Sequence, residues 1–84
     1  MDAFKTIGPN VIASEDGELH IARVGLTLIF GGRHYIIDSE MLDPPMSIAV
    51  YFTTSYAAKA EDAEQIRAFI TDALAFQGFT VELV

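Results

Sequence analysis

Few residues in this sequence could do chemistry, and most of them are acids. His20 and His34 are the only imidazoles, while Asp38, Glu40 and Asp43 lie close together in the chain. A zinc site needs at least three protein ligands within reach of one ion. His34 and Asp38 share a strand face, but four extended residues separate their Cα atoms by roughly 13 Å. Both histidines therefore read as half-exposed strand residues, and no metal or other cofactor is expected. Ser14, Ser39, Ser47 and Ser55 offer hydroxyls, yet none sits in a strand-to-helix nucleophile elbow with a base and an oxyanion site. Gly31-Gly32 lacks the spaced glycines and the Lys-Ser/Thr pair of a phosphate loop, and reads as a hairpin turn. Asp38 and Glu40, with Asp43 behind them, could exchange protons with a substrate. Nothing around them marks a deep pocket. Two readings remain for these acids: a solvated loop, or a surface that meets Lys and Arg of a partner. The sequence is not read as an enzyme.

Bulk properties point the same way. The 84 residues make one domain, 1–84. There are no cysteines, hence no disulfide framework and no thiolate; a cytoplasmic location is expected. Met1-Asp2-Ala3-Phe4-Lys5 does not read as a secretory signal, and no apolar run is long enough to span a bilayer. The net charge of -7, from 12 acids and 5 bases, disfavours nucleic acid and anionic membranes as partners. It favours a basic protein, because opposite net charge speeds encounter. Yet 51% of the residues are hydrophobic and the mean hydropathy is +0.33. That excess in so small a domain predicts that a second chain covers some apolar surface, and a closed homodimer is the commonest way to do so.

The elements that must carry these residues follow from the hydrophobic period. Residues 1 to 9 read as a lead-in ending at the Gly8-Pro9 break. Val11 to Glu15 and Glu18 to Val24 flank Asp16-Gly17, a pair that tolerates the positive φ of a tight turn. Leu26 to Phe30 and Arg33 to Asp38 flank Gly31-Gly32 in the same way. A two-residue turn there pairs Phe30 with Arg33, Leu28 with Tyr35 and Leu26 with Ile37 on one face. Thr27, Ile29, His34, Ile36 and Asp38 fall on the other. Ser39 to Pro45 is expected to leave the sheet, since adjacent prolines cannot continue a ladder. A strand resumes over Ser47 to Thr54.

From about Ala60 to Gln77 the period changes. Ala63, Ile66, Phe69, Ile70, Ala73, Leu74 and Phe76 form an apolar helical stripe. Glu61, Asp62 and Glu64 favour the dipole at its start, and Gly78 ends it. Phe79 to Val84 follows as a strand, parallel to the one before the helix through a right-handed crossover. The expected fold is α+β: a mainly antiparallel sheet of about five or six strands, one C-terminal helix on one face, and a final strand. One helix covers one side, so Ile29, Ile36 and Tyr51 are assigned to an uncovered side.

The segment Tyr35-Ile36-Ile37-Asp38-Ser39-Glu40-Met41-Leu42, the following apolar strand, the acidic-start helix and Ala73-Leu74-Ala75-Phe76-Gln77-Gly78-Phe79 together resemble a known family. It is the small immunity proteins of bacterial polymorphic-toxin and contact-dependent inhibition systems, and the resemblance covers about the second half of the chain. It implies a non-enzymatic inhibitor that binds a cognate toxin domain, often a basic nuclease. Where that family is expected to carry a Trp after the central strand, this chain has Tyr56. The expected partner-binding residues are Asp38, Glu40 and Asp43, clustered beside the Pro-Pro turn, Glu61 and Asp62 at the acidic start of the helix, and Tyr56 near the place of that Trp. The competing reading is a small homodimeric structural or adaptor domain.

Overall fold

The computed structural model describes residues 4–42 and 46–84. Seven strands form one sheet in chain order: β1 (Lys5–Gly8), β2 (Val11–Ser14), β3 (Gly17–Ile21), β4 (Val24–Phe30), β5 (Arg33–Leu42), β6 (Ser47–Val50) and β7 (Thr80–Leu83). A 3-10 turn, Tyr56–Lys59, and helix α1, Ala63–Phe76, lie between β6 and β7. Neighbours from β1 to β6 pair antiparallel, and β6 pairs β7 in parallel. The α+β expectation and the parallel final strand hold.

Strand parity decides what is buried. Across β2, β3, β4 and β5 the residues Ile12, Leu19, Leu28 and Tyr35 stand opposite one another, and the first three have no solvent exposure. Ile21, Leu26 and Ile37 form a second buried row. Helix α1 lays Ile66, Phe69, Ile70, Ala73 and Leu74 on these rows, as its apolar stripe predicts. The far edge of the sheet wraps toward the helix as well. The Phe4 ring stands 5.6 Å from that of Phe69 and 5.8 Å from that of Phe76, and Thr6 Oγ1 donates to Gln77 Oε1 at 3.3 Å.

The structure departs from the sequence reading at element ends. Residues 5–8 are an edge strand rather than a lead-in: Lys5 pairs with Ala13 and Thr6 with Ile12. Four residues with a bulge are too short to show a period. The first hairpin turns at Glu15-Asp16, because Ser14 already pairs with Gly17. Ser14 Oγ accepts the Asp16 N–H at 3.1 Å. Gly17 is needed for close approach instead, since a Cβ there would collide with the Ile29 carbonyl. The strand expected over Glu18 to Val24 breaks at Ala22-Arg23, and Val24 opens β4.

The largest difference is in β5. Ser39 to Leu42 stay in the sheet, with Ser39 opposite Val50, Glu40 opposite Ala49, Met41 opposite Ile48 and Leu42 opposite Ser47. The ladder therefore runs up to the edge of the undescribed Asp43-Pro44-Pro45 segment. A bulge where Val24 and Leu26 face Glu40 and Ile37 allows the extension. Gly25, at φ +97°, supplies the turn in β4, and its N–H is accepted by Ser39 Oγ at 3.0 Å. Beyond Val50 the strand ends early. Phe52 dives into the core, and Ser55 Oγ donates to its carbonyl at 2.6 Å. Helix α1 consequently starts at Ala63, after the 3-10 turn that buries Ala57.

The two faces predict opposite mutational outcomes. Leu28→Ala should lower unfolding free energy by about 2–5 kcal/mol, as deletions from a packed core do. Ile36→Ser, on the other face of the same hairpin, should change it by less than about 0.5 kcal/mol. Urea denaturation of both variants checks the assignment of faces.

Candidate functional site

The face of the sheet turned away from α1 has no element packed on it among the described residues. Its rows follow from the register. One runs Ala13, Glu18, Ile29, His34; the next runs Val11, His20, Thr27, Ile36. A third runs Val24, Glu40, Ala49, Glu82 across four strands. Asp38 lies between Ile36 and Glu40 on β5, and Tyr51 follows Ala49 by one strand period. The result is a mixed surface whose acids gather at the end of β5 that carries Asp38 and Glu40, with Val24 in the row of Glu40 and Ile36 two residues before Asp38. Val24 and Ile36 are 78% and 77% exposed, unusual for β-branched side chains in a sheet.

At the acidic end three groups converge. The Tyr51 hydroxyl donates to Glu40 Oε1 at 3.2 Å, and the Tyr51 N–H donates to the Asp38 carbonyl at 2.9 Å. The phenol is harder to ionise than the ordinary tyrosine, above 10.0. Its hydrogen bond to Glu40 is the main cause, followed by the charge of Glu40, partial burial and the charge of Glu82. Glu40 and Glu82 thus act on one hydroxyl although they come from strands on either side of β6.

The sequence-expected partner residues are divided between surfaces. Asp38 and Glu40 are exposed on the open face, on a strand and not in a loop. Asp43 lies outside the described residues. Glu61 and Asp62 precede α1 on the other side of the sheet, so they do not share a surface with Asp38 and Glu40. Asp62 is engaged internally: its Oδ2 is 3.7 Å from Arg33 Nη2, while its Oδ1 is buried without a hydrogen bond. Tyr56 projects from the 3-10 turn, 81% exposed, with Lys59 Nζ 5.5 Å from its ring centre.

Among the remaining chemical candidates, His20, Ser14, Ser39 and Ser55 have structural partners. His20 Nε2 meets Glu18 Oε1 at 3.2 Å on the open face. Ser14, Ser39 and Ser55 hydrogen-bond to backbone groups. Among the described residues, no group of three His, Asp or Glu side chains is placed to hold a metal ion, and no helix is long and apolar enough to cross a membrane. Two shallow clefts occupy the helix side. One, of about 350 Å³, is lined by Phe52, Leu83, Glu64 and Arg67 among others. The other, of about 250 Å³, is lined by Phe30, Phe69, Asp16 and Asp72 among others. Neither includes a histidine, a serine or an expected partner residue.

Sequence reasoning missed Glu82 and Val24. Glu82 alternates with Val81 and Leu83, so its outward direction was legible. Its place beside Glu40 was not, because that depends on Glu40 staying in the sheet opposite Ala49 and on the register of β7 on β6. Val24 was assigned to the wrong strand. Compared with protein-family models, curated proteins and solved structures, the chain matches none.

The Tyr51 contact has a measurable consequence. Its raised ionisation means that the bond to Glu40 contributes fully below pH 10.0 and is lost as pH rises through the folded value. In Glu40→Gln the phenol should ionise at lower pH than in the wild type. Ultraviolet titration against a Tyr51→Phe reference, which removes this phenol from the signal of the three tyrosines, checks the shift.

Proposed function

We propose that this protein is a non-enzymatic binding protein that neutralises a cognate bacterial toxin domain by direct contact, with a basic nuclease as the class to examine first. The observation that carries the reading is the open sheet face. It combines exposed Val24 and Ile36 with the acids Asp38, Glu40 and Glu82. Apolar anchors beside complementary charge are what a specific protein partner needs. The resemblance of residues 35–42 and 73–79 to immunity proteins supplies the toxin as the partner. The acidic charge suits a basic enzyme met in the cytoplasm.

A homodimeric structural or adaptor domain is the second reading, and a different surface supports it. Edge strand β1 carries Ile7, 53% exposed, and Phe76 is 51% exposed beside Phe4. An edge with apolar residues is a natural place for a second copy to add. Sedimentation of the wild type and of Ile7→Lys at micromolar concentration tests it: a dimer that the substitution dissociates supports this reading, and a monomer throughout removes it.

The toxin reading is tested by co-expression with the product of the neighbouring gene. Growth arrest by that product should be relieved by this protein. Asp38→Lys with Glu40→Lys should slow association, and raised salt should weaken wild-type binding, because exposed charges mainly set the encounter rate. Relief and binding kinetics unaffected by the double reversal, with the fold intact by circular dichroism, would remove this face from the reading.

A further inference from the structure

Resting on that reading of the open face, we propose that it receives a protein segment presenting an arginine between apolar side chains. The guanidinium lies over the Glu40–Tyr51–Glu82 corner, and the apolar neighbours lie against Val24 and Ile36. The row Val24, Glu40, Ala49, Glu82 fixes the arrangement. Glu40 and Glu82 are two strands apart, so their Cα atoms stand about 9–10 Å from each other. Ala49 between them is short and nearly covered, so the long side chains on either side form the contact level. Val24 is the next position in the same row, and Ile36 lies along β5 beyond Asp38.

The acceptors at this corner outnumber the donors. The Tyr51 proton is already directed at Glu40 Oε1, which leaves the phenolic oxygen free to accept. No ion pair joins Asp38, Glu40 or Glu82 to a cation among the described residues. A guanidinium offers five N–H donors in a rigid plane and can bridge acceptors on different side chains, whereas an ammonium acts as a compact point charge. The corner therefore favours arginine over lysine. A second copy of this chain is a poor occupant, because both copies carry the net charge of -7. Nucleic acid meets the same repulsion from its phosphates.

The test uses the full chain and three synthetic probes: acetyl-Val-Ala-Arg-Ala-Val-amide, whose valine and arginine side chains share one face when extended, and its lysine and citrulline counterparts. In ¹⁵N-resolved titrations the arginine probe should move the amide signals of Glu40, Ala49, Tyr51 and Glu82 and those of Val24 and Ile36. It should bind more tightly than the lysine probe, and the citrulline probe should not bind. Glu40→Gln with Glu82→Gln should weaken the arginine probe by about three- to tenfold, the worth of two exposed charge pairs. Glu64→Gln with Asp72→Asn removes the same charge from the helix side and should leave it unchanged. Equal binding of the arginine and lysine probes, equal loss in the two double variants, or shifts centred elsewhere would overturn the proposal. The reading beneath it fails separately. If Ile36→Asp leaves binding of the cognate partner unchanged, the open face is not the docking surface; if it abolishes binding while the arginine probe shows no preference, only the arginine corner is wrong.

Discussion

A strand shows its side chains to alternate sides at every residue, and one helix can lie on only one of those sides. In this molecule β5 carries that constraint for ten residues, Arg33 to Leu42. Ile37 and Ser39 point into the core, while Ile36, Asp38 and Glu40 point out of it. The helix stripe from Ile66 to Leu74 satisfies the inner set. The outer set is the unavoidable remainder of the same alternation. The open face and the packed core are thus one arrangement seen from two sides, and a one-residue slip of β5 would exchange them.

The bulge at Gly25 keeps that alternation useful across β4 and β5. Without it, Val24 would share the inward side of Leu26. With it, Val24 stands opposite Glu40 on the outside, and Ser39 Oγ accepts the Gly25 N–H, which leaves the buried Ser39 hydrogen-bonded. Bulges often re-aim a side chain beside a functional surface, and here the re-aimed residue is an exposed valine next to the acidic end.

Much of the fold was legible because its pairings are local. The register of Leu26, Leu28 and Phe30 with Ile37, Tyr35 and Arg33 followed from Gly31-Gly32 alone, and the structure reproduces it. The helix was legible from its 3.6-residue stripe, although its start lies later than expected, at Ala63, because the 3-10 turn spends residues that look helical by composition. Ends of elements were less legible. Pro44-Pro45 seemed to pull Ser39 to Leu42 out of the sheet, but a proline forbids a ladder only at its own N–H. For the candidate site, Asp38 and Glu40 were found from their clustering in sequence. Glu82 joins them through the register of β7 on β6 and through Glu40 remaining in the sheet, and no local pattern encodes either. The ion pair of Asp62 with Arg33 was hidden for the same reason, being equally non-local.

Strand β7 has a consequence for the timing of synthesis. Strands β1 to β6 each join the neighbour just made, so the meander can form as it leaves the ribosome, with short loops to close. β7 can join β6 only after α1 is complete, and it is β7 that brings Glu82 to the corner with Glu40 and Tyr51. The open face, with Asp38 and Glu40 already on it, therefore comes into being before Glu82 is added. Until then the nascent sheet presents Ile36, Val24 and Glu40 without the second glutamate, and the corner around the Tyr51 hydroxyl is completed by the last strand to dock.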